Sequence, residues 1–144
     1  MSLLRKDYIV DQFVRFAEAI RMGLEREAEG PGGDTGNAIR LLEAQVGESV
    51  NIDGEALLAL APESVVSILQ VSGVDPSMAP YIVRALLLES QLLRSNGDDG
   101  LAGLRAQQGG AVAEAYGVAV PADVLDPEAL EAFFAESRRA LEED

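Results

Sequence analysis

The chain has 144 residues, of which 48% are apolar, so it is long enough to bury the core of one domain. It contains no cysteine and no histidine. This excludes disulfides, thiolate metal sites and catalytic groups built on a cysteine nucleophile or a histidine base. The 25 acidic and 11 basic residues give a net charge of −14, which opposes binding to nucleic acid and to anionic membranes.

The N-terminus becomes charged at Arg5 and Lys6, before an apolar segment of signal-peptide length. No run approaches the roughly 18 apolar residues of a membrane-spanning helix. We therefore expect a cytoplasmic protein that does not bind membranes.

The first predicted element is a long helix, because apolar residues recur at three- and four-residue steps over residues 7–29. The glycine-rich segment 30–36 ends it. A phosphate-binding loop is a poor alternative, because no strand precedes the segment, no lysine follows Gly36 and Asp34 would repel an anion. We predict a turn here.

A second helix is predicted over residues 37–46, with Asp34 or Thr35 as its N-cap and Gly47 as the left-handed residue that closes it. It completes a first helix pair over residues 1–49. Residues 50–74 are predicted to form inserted short helices, of which one is capped by Asp53 and another begins at Pro62.

A second helix pair is predicted over residues 75–117. Asp75 and the proline after it begin the most apolar helix, in which Pro80 either sets the first turn or bends the axis. A turn at Gly97 leads to a partner helix that ends at Gly117. Residues 118–144 are predicted to form a linker and a C-terminal helix that starts after Asp126. No segment alternates long enough for a sheet, so we predict a single all-α domain over residues 1–144 with about seven helices.

Gly109 and Gly110 are unusual inside a predicted helix, since each costs about 1 kcal/mol relative to alanine. Close approach of a neighbouring helix is the preferred explanation. A kink and a break between two shorter helices are the alternatives.

The pair over residues 75–117 resembles a degenerate tetratricopeptide repeat. Aligning Gly97 with the turn of that repeat puts Ser90 at the small position of the first helix and Ala102 at the first alanine of the second. Ala106 and Gly109 then replace the expected aromatic residue and second alanine. The resemblance implies a scaffold that binds other proteins.

A wider resemblance covers most of the chain. It consists of the opening Leu-Arg-Lys-Asp-Tyr-Ile-Val, the long helix, the glycine-rich turn, an Ala-x-x-Leu-Leu helix and the segment Leu-x-Leu-x-Pro-Glu-Ser-Val-Val. This order is similar to a family of small bacterial helical proteins, the domain-of-unknown-function family numbered 6483. It implies a tetratricopeptide-like fold and no particular activity.

Neighbouring acids are the remaining candidates for chemistry, as acid-base pairs or as ligands of a divalent metal. Helix caps and solvated helix faces explain them better, so we predict no catalytic, cofactor-binding or metal-binding residue. The acids concerned are Glu25 with Glu29, Asp98 with Asp99, and Glu128 with Glu131.

Three tyrosines, Tyr8, Tyr81 and Tyr116, are the candidates for an interaction surface, because aromatic residues are enriched at interfaces. Seating of their rings in the core, with each hydroxyl at the edge, is the preferred explanation. The sequence favours a module that binds an unknown protein partner or a second copy of itself. A small helical ligand-binding domain or an enzyme that uses buried carboxylates is the alternative function.

Overall fold

The computed structural model describes residues 3–30 and 34–143, so residues 31–33 of the predicted turn lie outside the described residues. The described ranges contain no strand, which confirms the all-α prediction with about seven helices. A single turn of 3-10 helix, Pro76–Met78, precedes the fifth helix. The helices are α1 (Leu3–Ala28), α2 (Thr35–Val50), α3 (Gly54–Leu58), α4 (Pro62–Ser72), α5 (Ala79–Ser95), α6 (Asp99–Tyr116) and α7 (Pro127–Glu142).

Aspartates determine where most helices begin, because each accepts a hydrogen bond from an N–H group that the helix itself leaves unpaired. Asp34 accepts from the backbone of Asn37 at 3.1 Å. At the start of α3, Asp53 accepts from the backbone of Ala56, and at the start of α7, Asp126 accepts from that of Glu128, at 3.0 Å each. Asp53 is confirmed as a cap, Asp34 is the one of the two candidates that caps α2, and α7 starts after Asp126 as predicted. Pro80 lies within the first turn of α5, where it needs no hydrogen-bond donor.

The C-terminus of α2 differs from the prediction. The helix continues through Gly47 to Val50, and Asn51 takes the left-handed conformation with φ 58°. Gly47 is needed for close approach of the chain: a Cβ atom there would lie 2.3 Å from the carbonyl oxygen of Ile52. The glycine was therefore wrongly predicted as a helix terminator.

Gly109 and Gly110 lie inside the continuous helix α6, which excludes a break between two helices. A Cβ atom at Gly109 would lie 3.1 Å from the side chain of Leu87 on α5, whereas nothing stands within 4 Å of one at Gly110. Close packing of α6 against α5 thus accounts for the first glycine only.

The helices form two antiparallel pairs, α1 with α2 and α5 with α6. Helices α1 and α5 run parallel, since Phe13 in the first half of α1 stacks on Tyr81 at the start of α5, and Ser95 at the end of α5 donates to Glu27 near the end of α1. Helix α4 packs on α6, and α7 returns along α1. One cluster of buried apolar side chains extends from Ile9 to Leu141 and contains residues of all seven helices.

Candidate functional site

The three tyrosines do not form one surface. Tyr81 is completely buried, so its ring is seated in the core and is not exposed for contact with a partner. Tyr116 is half-buried against the edge of the core. Only Tyr8 is well exposed, at 56%, and it lines a shallow cavity of about 420 Å³ that contains neither of the other two.

Tyr81 instead forms the floor of a groove between α1 and α5. Its ring stacks on Phe13 at 4.9 Å and on Phe16 at 5.7 Å between centroids, and Phe133 of α7 covers it at 4.6 Å. Such aromatic contacts add to the free energy gained by burial. The groove therefore has an aromatic floor, and α7 occupies it.

Helix α7 is held in this groove by few buried residues and by charge. Leu130 and Leu141 are its only buried side chains among those the structure describes. Arg21 of α1 donates two hydrogen bonds of 2.6 Å to the carboxylate of Glu131. The same contact raises the pKa of Arg21 and lowers that of Glu131. Both side chains are partly exposed, so the pair contributes at most about 1 kcal/mol.

Two cations of the groove also lie over aromatic rings of α7. The guanidinium of Arg84 on α5 stands 4.6 Å from the ring centroid of Phe133, and that of Arg21 stands 5.4 Å from the centroid of Phe134. A cation over an aromatic face gains about 0.5–2 kcal/mol, more as it is desolvated. The groove thus favours a helix that presents adjacent aromatic residues.

A cavity lies beside the groove, on the side of α7 that faces α1. A shallow cavity of about 500 Å³ lies between the first half of α1 and the end of α7. Its walls mix apolar side chains with charges of both signs. The lining residues are Lys6, Asp7, Val10, Asp11, Val14, Arg138, Leu141 and Glu142.

A second polar feature lies inside the protein, where Arg105 of α6 meets two carboxylates. Its guanidinium donates to Glu89 at 2.5 Å and to Glu43 at 2.9 Å. It also donates to the carbonyl oxygen of Leu58 at 2.7 Å. Gln108 completes this polar cluster by donating to the same carbonyl at 3.0 Å. The polar cluster therefore joins α2, α5 and α6 to the end of α3.

Glu89 is the most perturbed acid of this cluster. It is fully buried, and one of its carboxylate oxygens has no hydrogen-bond partner among the described residues. Burial, together with the nearby Glu43, raises the pKa of Glu89 to about 9 against the opposing effect of Arg105. Protonation of Glu89 removes one negative charge from the interior of the polar cluster at neutral pH.

Glu89 predicts an unusual dependence of stability on pH. Its folded-state pKa lies above its ordinary 4.5, so the folded protein holds the extra proton between pH 4.5 and about 9. The free energy of unfolding should fall as pH rises through this window, with a limiting slope of about 1.4 kcal/mol per pH unit. Urea unfolding at pH 5.5 and pH 8.5 measures the difference, in a chain without histidine or cysteine that would titrate there.

The Glu89→Gln variant is the control for this pH dependence. Glutamine keeps a donor toward Glu43 and cannot ionise, so its stability should change much less between the two pH values. Equal pH dependence in the wild type and the variant would contradict protonation of Glu89.

The acid pairs considered from the sequence lie apart from this cluster. Glu25, Glu29, Asp99 and Glu128 are exposed, and Asp98 caps α6. No group of three or more acids suited to a metal ion occurs within residues 3–30 and 34–143. None of the cavities described above is lined by Glu43, Glu89 or Arg105. The polar cluster is a filled part of the core.

The polar cluster and the groove were both missed from the sequence. Glu89 occupies an apolar register position between Ala85 and Leu92, and Arg105 does so after Ala102. A charged residue in the apolar stripe of a helix is the one local indication of such a cluster. Nothing local indicates that α7 returns to α1, because that contact joins residues 110 positions apart.

Comparison with protein families, curated proteins and solved structures finds no match to this chain. The resemblance to the family numbered 6483 therefore stays a prediction. Within the described residues, no helix combines the length and apolar character needed to cross a membrane.

Proposed function

We propose that the protein is a cytoplasmic protein-protein interaction module whose recognition surface is the groove between α1 and α5. The observation that supports this most is the occupation of the groove by a helix. α7 is held there by an aromatic floor at Tyr81 and by the cations Arg21 and Arg84. Surfaces that combine aromatic residues and arginine are typical of protein recognition.

The arrangement of the helices supports a tetratricopeptide-like scaffold within this proposal. Two antiparallel pairs place their first helices, α1 and α5, side by side and parallel, which is how repeats of this kind build a binding face. The Ser90 hydroxyl donates to the carbonyl oxygen of Ala102 at 2.7 Å, so the two small residues aligned with the repeat are in contact. The inserted helices α3 and α4 interrupt the regular array.

The alternative function, a ligand-binding domain or an enzyme that uses buried carboxylates, has one observation in its favour. Glu89 is a buried acid with a raised pKa, a property that is common in active sites. Its neighbours Glu43, Arg105 and Gln108 fill the space around it, so it lacks the open pocket that a substrate requires. We place this function second.

Site-specific photo-crosslinking in extract of the source cells tests the interaction module. A benzoylphenylalanine in place of Val14, which lines the cavity between α1 and α7 beside the groove, should give a discrete adduct with another protein. The same residue in place of Val71, which is 89% exposed on α4, is the matched control and should not give that adduct. Absence of any adduct at Val14, together with a monodisperse monomer in light scattering, would contradict the proposed function.

A further inference from the structure

Helix α7 is attached to the rest of the chain more loosely than the helices around it. It buries two residues, whereas α5, of nearly equal length, buries eleven. The nine residues 118–126 that join it to α6 contain no helix or strand. Elements with few buried apolar contacts open at low free energy, so α7 leaves its place more readily than α5.

The face beneath α7 does not suit exposure to water. Tyr81 and Phe13 are almost completely buried, and the ring of Phe133 covers the first of them. Departure of α7 would expose this aromatic floor, which opposes simple opening. Exchange for another helix avoids that penalty, because an incoming aromatic side chain restores the burial.

Two polar groups of the groove are left without suitable partners by α7. The buried hydroxyl of Tyr81 has no hydrogen-bond partner among the described residues. Arg84 has no carboxylate partner in the same part of the chain, although it is only half-exposed and burial lowers its pKa. The Tyr81 hydroxyl is close to Ser137, whose own hydroxyl donates to the carbonyl oxygen of Phe133 instead, and the charge of Arg84 acts on the same Tyr81 side chain. A buried group without a partner lowers stability, so α7 fits the groove imperfectly.

We propose that α7 is an internal occupant of the groove and that an amphipathic helix of a partner protein displaces it. This proposal rests on the proposed function. The partner helix carries adjacent aromatic residues, as α7 does at Phe133 and Phe134. At the position of Ser137 it carries an aspartate or glutamate. That carboxylate accepts from the hydroxyl of Tyr81 and pairs with Arg84, two interactions that α7 does not supply.

The charge of the groove agrees with an acidic helix as the occupant. Arg21 and Arg84 are cations that project from α1 and α5 toward α7, in a chain whose net charge is −14. Only one of them has an acidic partner in α7, at Glu131. An acidic helix with one further carboxylate therefore matches the groove better than α7 itself.

A fluorescein-labelled peptide of residues 125–143 is the probe for displacement, read by fluorescence anisotropy. It should bind the wild-type chain weakly, because α7 competes for the same groove. The Glu131→Arg variant of the chain places a cation against Arg21 and weakens only the internal helix. It should bind the peptide about tenfold more tightly than the wild type. Circular dichroism should show wild-type helicity in this variant.

Glu136→Arg is the matched control, since this exposed acid on α7 has no ion-pair partner among the described residues. This variant should bind the peptide as weakly as the wild type. Equal affinity of all three chains, or no binding to any of them, would overturn displacement of α7. A wild-type dimer in light scattering that Glu131→Arg abolishes would assign the groove to a second copy and also overturn it.

The predicted carboxylate is tested in the peptide, where a substitution does not affect folding of the chain. A Ser137→Asp peptide should bind the Glu131→Arg chain about tenfold more tightly than the unchanged peptide, whereas a Ser137→Asn peptide should not. The gain should disappear when the chain also carries Arg84→Ala. Equal affinity of the Asp and Asn peptides would refute the recognition of a carboxylate.

These outcomes are separable from those of the crosslinking experiment. An adduct at Val14 with no difference between the peptides would refute the acidic helix and leave the interaction module standing. Peptide exchange without any adduct would refute the module and show only that α7 leaves and returns.

Discussion

Replacing Arg105 with methionine is expected to lower the free energy of unfolding by about 3–5 kcal/mol, the range found when one partner of a buried ion pair is removed. The side chain of Arg105 is 5% exposed and supplies donors to Glu89, Glu43 and the carbonyl oxygen of Leu58. Without it, the buried carboxyl group of Glu89 and the largely buried one of Glu43 lose this donor, and the carbonyl oxygen of Leu58 keeps only Gln108. Urea unfolding at pH 7 measures the difference.

Arg139→Met is the matched control, because Arg139 is exposed on α7 and has no ion pair in the described part of the chain. Its effect should stay within about 0.5 kcal/mol. The loss of unfolding free energy in Arg105→Lys should lie between those of the two methionine variants, since an ammonium keeps the charge but cannot reach every acceptor of the guanidinium. A loss below about 1 kcal/mol for Arg105→Met would show that the polar cluster does not stabilise the fold.

Replacing Gly54 with alanine is expected to cost more than about 3 kcal/mol, at or beyond the upper end for overpacking of a core. The added Cβ atom would lie 1.9 Å from the carbonyl oxygen of Glu43, which belongs to the backbone of α2. A backbone atom cannot rotate away as a side chain can, so α3 must separate from α2. The melting temperature should fall correspondingly.

Gly110→Ala is the control for this substitution. It also adds one methyl group to a helix, but nothing lies within 4 Å of the new atom. Alanine should therefore raise the free energy of unfolding by up to about 1 kcal/mol through its higher helix propensity. Similar effects of the two substitutions would refute the close contact between α2 and α3.

These two sites explain why the inserted helices belong to the body of the protein. Gly47 and Gly54 let the chain after α2 pass directly over that helix. Gln108 and Arg105 then bind the carbonyl oxygens at the end of α3, and Gln108 also donates to that of Leu60. The inserted helices are thereby fixed to α6. Because they also contact α2, they join the first helix pair to the second.

The starts of α3, α4 and α7 were predictable because their causes are local. A cap such as Asp53 acts on an N–H group three residues away, and Pro62 restricts its own backbone. The periodic apolar residues of α1 and α5 likewise indicate a buried helix face without any knowledge of its partner. The all-α class, the number of helices and the absence of histidine and cysteine chemistry all followed from such features.

The sequence alone thus determined the helices, their caps and the charge of the chain, and only the tertiary structure decided what the helices contact. Gly47 was predicted to end a helix because helix termination is the common local role of glycine, whereas contact with Ile52 selects it here. Tyr81 became the floor of a groove because α7 returns to cover it. Arg105 and Leu58, 47 residues apart, meet only after folding. Contacts between distant segments depend on how helix faces fit together, and no local pattern records that fit.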